Sequence, residues 1–149
     1  MNKTYQQFEN MITEILNVRD KEESLLTDPI SKGKWSIREI IAHLYYWDKF
    51  ILEKMVPQMA QDAKLPEFPD HDSYNNEAIT YLKDHSVESI IELFVNTRKR
   101  LIKSLMRIGD DVKFTIGKGK RHFSAESFTK MFVKHDVHHL QQISEKVGA

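Results

Sequence analysis

The chain has 149 residues, 40% of them hydrophobic, which suits one domain with a buried core and excludes a disordered segment. Lysine plus arginine and aspartate plus glutamate number 22 each, so the formal charge is zero and the bulk attraction behind nonspecific nucleic-acid or anionic-membrane binding is missing. The absence of cysteine excludes disulfides, thiolate metal ligands and a protein thiol nucleophile.

No apolar run approaches the ~18 residues of a membrane span, so no membrane partner is expected. Met1 to Gln7 carries no signal-peptide run, and a cytoplasmic location is expected. Phe8, Met11, Ile12, Ile15 and Leu16 predict a first helix from Thr4 to Leu26, stopped by Thr27-Asp28-Pro29. Ser36, with Glu39 three residues on, forms a capping box for a second helix. Ile37, Ile40, Ile41, Leu44, Trp47, Ile51 and Met55 give that helix its apolar positions, and Pro57 kinks or ends it. Pro66 and Pro69 exclude regular structure from the following loop.

A short helix is predicted over Tyr74–Lys83. Ser86 then caps a longer one that carries Ile90, Ile91, Leu93, Phe94, Leu101, Ile102 and Leu105 and ends at Gly109. Val112 to Phe123 reads as a loose hairpin or loop, and Ser124 caps a last helix reaching about Val147. Long amphipathic helices without a convincing sheet predict an all-α, antiparallel four-helix bundle, one domain over residues 1–149.

At ~100° per residue, Phe128, Met131, Phe132, His135, His139 and Ile143 fall on one stripe of the last helix, which is expected to be its core seam. His135 and His139 are four apart and sit on adjoining turns of one face, a spacing at which two imidazoles grip one divalent metal. His43, at the edge of the stripe on the second helix, is placed to supply a third. Three histidines leave positions on the metal open, as metal-assisted catalysis requires. The same residues also fit a core in which each imidazole is merely hydrogen-bonded. His138 lies on the flank of the stripe, while His71, His85 and His122 fall in loops or at helix ends.

Other features read more plainly. Arg98-Lys99-Arg100, with Lys103 and Arg107, is balanced by nearby acids and reads as a solvated face. Asp136 reads first as a surface aspartate and second as a residue that orients a neighbouring group, and Gln142 as either a ligand hydrogen-bonder or packing filler on the side of His139. Val133, Val137, Leu140 and Ser144 form a second small apolar face that either a homodimer interface, the favoured expectation, or the long loops of the same chain would cover.

Two segments together carry a resemblance. Lys34-Trp35-Ser36-Ile37-Arg38-Glu39-Ile40-Ile41-Ala42-His43-Leu44, followed far along the chain by His135-Asp136-Val137-His138-His139-Leu140-Gln141-Gln142-Ile143, resembles the DinB/YfiT-like superfamily. The resemblance implies a small bacterial four-helix bundle, often dimeric, with a divalent metal held at His43, His135 and His139. Zinc or nickel suits an all-imidazole set best. Some members resemble bacillithiol-type thiol S-transferases and others mycothiol-dependent isomerases, and many have no assigned activity. The expected function is therefore a metal-dependent thiol S-transferase of detoxification or stress response, taking a small-molecule substrate and a low-molecular-weight thiol. A non-catalytic metal-binding bundle and a helical interaction module with structural histidines are the alternatives. No serine, histidine and aspartate stand at a spacing that suggests a hydrolytic triad.

Overall fold

The computed structural model describes residues 1–148. Its helices are α1 (Lys3–Leu16), α2 (Glu23–Thr27), α3 (Ile37–Phe50), α4 (His71–Tyr81), α5 (Val87–Met106) and α6 (Ala125–Val147). Asn2, Ser36, Asp70, Ser86 and Ser124 each accept a backbone N–H of the first turn, which satisfies a donor that the helix itself leaves unpaired. At Ser36 the Glu39 carboxylate reaches back to the cap N–H at 3.0 Å, completing the expected box.

The first predicted helix is broken. It stops at Leu16, and Val18 and Leu26 are buried on either side of a turn that leads into the one-and-a-half turns of α2. The stripe through Phe8 and Ile15 finds no apolar continuation in Arg19-Asp20-Lys21-Glu22-Glu23, so the chain turns instead of carrying charge into the core. α3 runs on through a π-helical turn at Ile51–Met55 and a 3₁₀ turn at Val56–Gln58, where Pro57 ends the ladder.

α1, α3, α5 and α6 make a four-helix bundle. α3 packs along α5, and α1 lies against both α5 and α6. α3 and α6 touch little, and a cleft opens between them. Two short strands, β1 (Lys64–Leu65) and β2 (Thr115–Ile116), pair in parallel and tie the proline loop to the α5–α6 connection. Gly117, at φ +55°, donates its N–H to Leu65, and a Cβ there would lie 2.3 Å from Glu67 Cγ. This pinning, with Pro66 and Pro69, holds Phe68 over the cleft.

The seam of α6 differs from the expected one. Phe128, Thr129, Val133, Asp136, Leu140 and Ile143 are buried, whereas Met131, Phe132 and His139 are half-buried and the His135 side chain is 51% exposed. The histidine stripe is thus rotated to the rim of the bundle. Val133 and Leu140, expected to await a second copy, belong to the core on a helix that packs along α1; Val137 is the large apolar residue of that face left exposed. The apolar face that suggested a dimer is largely covered within the chain.

Arg98 and Asp136 are likewise not surface residues. Arg98 is fully buried, its guanidinium making a two-point pair with Asp48 (2.6 and 3.0 Å) and a third bond to Asp136 (2.8 Å). Its remaining nitrogen donates to the Phe8 carbonyl at 3.2 Å, and the Phe8 ring lies 3.7 Å from the guanidinium carbon. Burial pushes Asp48 up to about 6 against the pull of Arg98, whereas at Asp136 the opposing burial is outweighed by Arg98 and His135 and the carboxyl is held low. The planar guanidinium satisfies two carboxylates at once in a way a lysine ammonium does not.

Candidate metal centre

His43 comes from the second turn of α3, and His135 and His139 from adjoining turns in the middle of α6. One ring nitrogen from each lies within 4.8 Å of the others, and the ring centroids are 4.7 to 5.3 Å apart. All three histidines singled out in the sequence are therefore brought together. His122 is exposed, His138 is exposed with its ring 5.8 Å from that of His139, and His85 stacks on Tyr81. His71 reaches the rim of the cleft, its ring 5.2 Å from Trp47.

Hydrogen bonds assign the nitrogens. The indole N–H of Trp47 only donates, so the Asn75 side-chain atom 2.8 Å away is the oxygen. That oxygen also lies 2.8 Å from His43 Nδ1, which must then carry the proton. The lone pair is left on Nε2, which is buried without any partner. His139 Nδ1 sits 3.0 Å from Gln142 Oε1, and His135 Nδ1 sits 3.4 Å from Asp136 Oδ1. Every Nδ1 thus has an oxygen acceptor, which leaves Nε2 of each ring as the available ligand atom. This is how outer hydrogen bonds commonly orient metal-binding histidines. An orphaned buried nitrogen is costly by itself, and a cation shared with two neighbouring imidazoles removes that cost. The residues present fit a divalent ion.

Burial, and then the neighbouring His139, lower His43 from its ordinary 6.5 to about 4, against an upward pull from Asn75. Burial and His135 lower His139 as well. Both rings are therefore neutral and able to ligate at pH 7. In the metal-free protein the unfolded chain takes up these protons first, so stability is full above about pH 6.5 and falls as pH drops toward 4. For His43 alone the loss approaches about 3 kcal/mol. Denaturant midpoints at pH 7.5 and 4.5 should show this loss, and His43→Leu should flatten it.

Trp35 covers the centre, its ring 5.1 Å from His43 and stacked 6.2 Å from His139. Beside it the cleft has a volume of about 250 Å³. Leu44, Trp47, Phe68, Met131 and Phe132 give it apolar walls, His43 and His135 line it, and Asp48 and Asp136 also reach it. Asp136, 3.4 Å from His135 Nδ1, takes the orienting role that is its second reading, whereas Asn75, Phe68 and the Asp48–Arg98 pair are not among the residues the sequence singles out. A partial signal existed for the first, since His43 and Trp47 are four apart on one buried face and each carries an N–H that needs an acceptor. Gln142 was placed on the correct side, but its oxygen serves His139.

No helix among the described residues is long and apolar enough to cross a membrane. Among proteins of curated function none matches this chain significantly. A solved structure, "YfiT from Bacillus subtilis is a probable metal-dependent hydrolase with an unusual four-helix bundle topology", superimposes with a TM-score of 0.71 at 18% identity, covering 97% of this chain and 83% of that one. At that identity the likeness speaks for the fold. The family model of the DinB superfamily matches residues 3–143, nearly the whole length, and the chain belongs to that superfamily.

Proposed function

We propose that His43, His135 and His139 hold one divalent metal, zinc or nickel, through their Nε2 atoms, and that the protein is a metal-dependent transferase of a low-molecular-weight, bacillithiol-type thiol. The observation that carries this reading is the buried, unpartnered Nε2 of His43 with two further imidazoles gathered beside it. A divalent ion bound to three neutral imidazoles keeps its full charge and lowers the pKa of a thiol or water presented to it.

The chain's own residues supply the rest. Asn75, Gln142 and Asp136 fix the ring orientations, and Trp35 limits access of water from one side. The chain has no cysteine, so the sulfur must arrive on a cosubstrate. In the overall reaction a sulfur–carbon bond forms while the electrophile's carbon–leaving-group bond breaks. The electron pair goes to the leaving group, and the thiol proton passes to solvent. The role proposed for such chemistry is detoxification or stress response in the cytoplasm.

The YfiT structure, described as that of a probable metal-dependent hydrolase, motivates a second reading in which water takes the place of the thiol. One assay separates them. Metal-loaded protein is given an electrophile with and without thiol, beside His43→Ala. Thiol-dependent consumption, about a hundredfold slower in the variant, is the expected result. Consumption that ignores the thiol assigns hydrolysis. No turnover by metal-loaded protein with any thiol leaves the non-catalytic metal-binding bundle.

A further inference from the structure

We propose that the cleft between α3 and α6 seats an uncharged, compact apolar group, a single substituted aromatic ring or its aliphatic equivalent, and that this group belongs to the electrophile. The assignment to the electrophile rests on the transfer reading above, while the binding chemistry rests on the cleft alone. Its volume of about 250 Å³ exceeds the ~150 Å³ of a cavity that takes benzene and falls short of the roughly 300–1,000 Å³ of sites for drug-sized ligands. One ring with a short substituent is the size that fits.

The walls set the polarity. Trp47, Phe68 and Phe132 offer aromatic surface, with Trp47 to Phe68 at 6.1 Å and Phe68 to Phe132 at 5.8 Å between centroids, and Leu44 and Met131 complete the apolar part of the lining. Phe68 is set in place before any ligand arrives, because Pro66, Pro69 and the Leu65–Ile116 pairing hold its loop. Flat apolar walls of this kind favour a ring.

Without a metal, the cleft also lacks a permanently cationic side chain to receive an anion. No lysine or arginine lines the cleft, and Arg98 behind it is fully buried with its donors committed to Asp48, Asp136 and the Phe8 carbonyl. The set of two carboxylates and one guanidinium leaves no free donor for a carboxylate or phosphate at the floor; a divalent ion at the histidines would itself attract an anion, so this preference is a property of the metal-free cleft. A polar thiol finds better surroundings elsewhere. The hollows on the His139 side include Ser31, Lys34, Gln142, Glu145 and Lys146 among their lining residues, which leaves the cleft to the electrophile.

The test uses protein labelled at the methionine methyls, both as purified and after metal removal, titrated with p-cresol and with 4-methylbenzoate. The expected result is a saturable shift of the Met131 methyl with p-cresol, no shift of exposed Met106, and at least tenfold weaker binding of the carboxylate to the metal-free protein. Phe68→Asp, with the buried Met11 and Met55 signals in place to report folding, should weaken p-cresol about tenfold, and Phe132→Asp should do the same. A Met131 signal indifferent to p-cresol, or a carboxylate that binds the metal-free protein equally well, overturns the proposal. Cresol binding that persists in a protein unable to hold metal supports the cleft and removes the transfer reading. Metal binding without cresol binding removes the cleft and leaves that reading standing.

Discussion

Arg98→Met is expected to destabilise the fold by about 3–5 kcal/mol, the cost of removing one partner from a buried ion pair. The cost comes from what is left behind. Asp48 and Asp136 are both buried, and in the variant two carboxylates face each other with no compensating charge. Arg98→Lys is expected to recover only a minor part, since an ammonium cannot make the two-point contact with Asp48 and still reach Asp136. Combining Arg98→Met with Asp48→Asn and Asp136→Asn should restore much of the loss by removing the charges themselves. Urea unfolding of the four proteins at pH 7 checks this. An Arg98→Met protein within about 1 kcal/mol of the parent would mean that the guanidinium is not neutralising the pair.

Asn75→Leu is expected to weaken metal binding about 10- to 100-fold while leaving the helical content unchanged, the range typical of outer hydrogen-bond partners of metal-binding histidines. One amide oxygen receives both the His43 and the Trp47 N–H, so its removal frees the imidazole to rotate or to change tautomer. Asn75→Asp keeps an acceptor oxygen and should retain most of the affinity. Competition against a chelator measures both. The Trp47 fluorescence should shift in Asn75→Leu, because its indole N–H loses the same partner. Unchanged affinity in Asn75→Leu would show that packing alone orients His43.

These two expectations rest on residues that the sequence did not single out, and the reason is physical. Helix starts were legible because a cap is a local event: Ser36 with Glu39, and Ser86 and Ser124, sit beside the donors they satisfy. His43, His135 and His139 were legible from spacing and from a resemblance. The face that α6 buries was not. Asp136 stands in the middle of the true seam and reads as polar until Arg98, on another helix, is seen to cancel its charge. Arg98 itself is hidden in a run with Lys99 and Arg100, both of which are exposed. Asn75 acts through the docking of α4 on α3, and no local pattern encodes that contact.

The central claim is the metal, and its content in tag-free protein tests it most directly. The account predicts about one zinc or nickel ion per chain after loading and dialysis, lost in each of His43→Ala, His135→Ala and His139→Ala. A parent protein that keeps no divalent ion, with variants indistinguishable from it, would contradict the account and return the three histidines to a purely structural role.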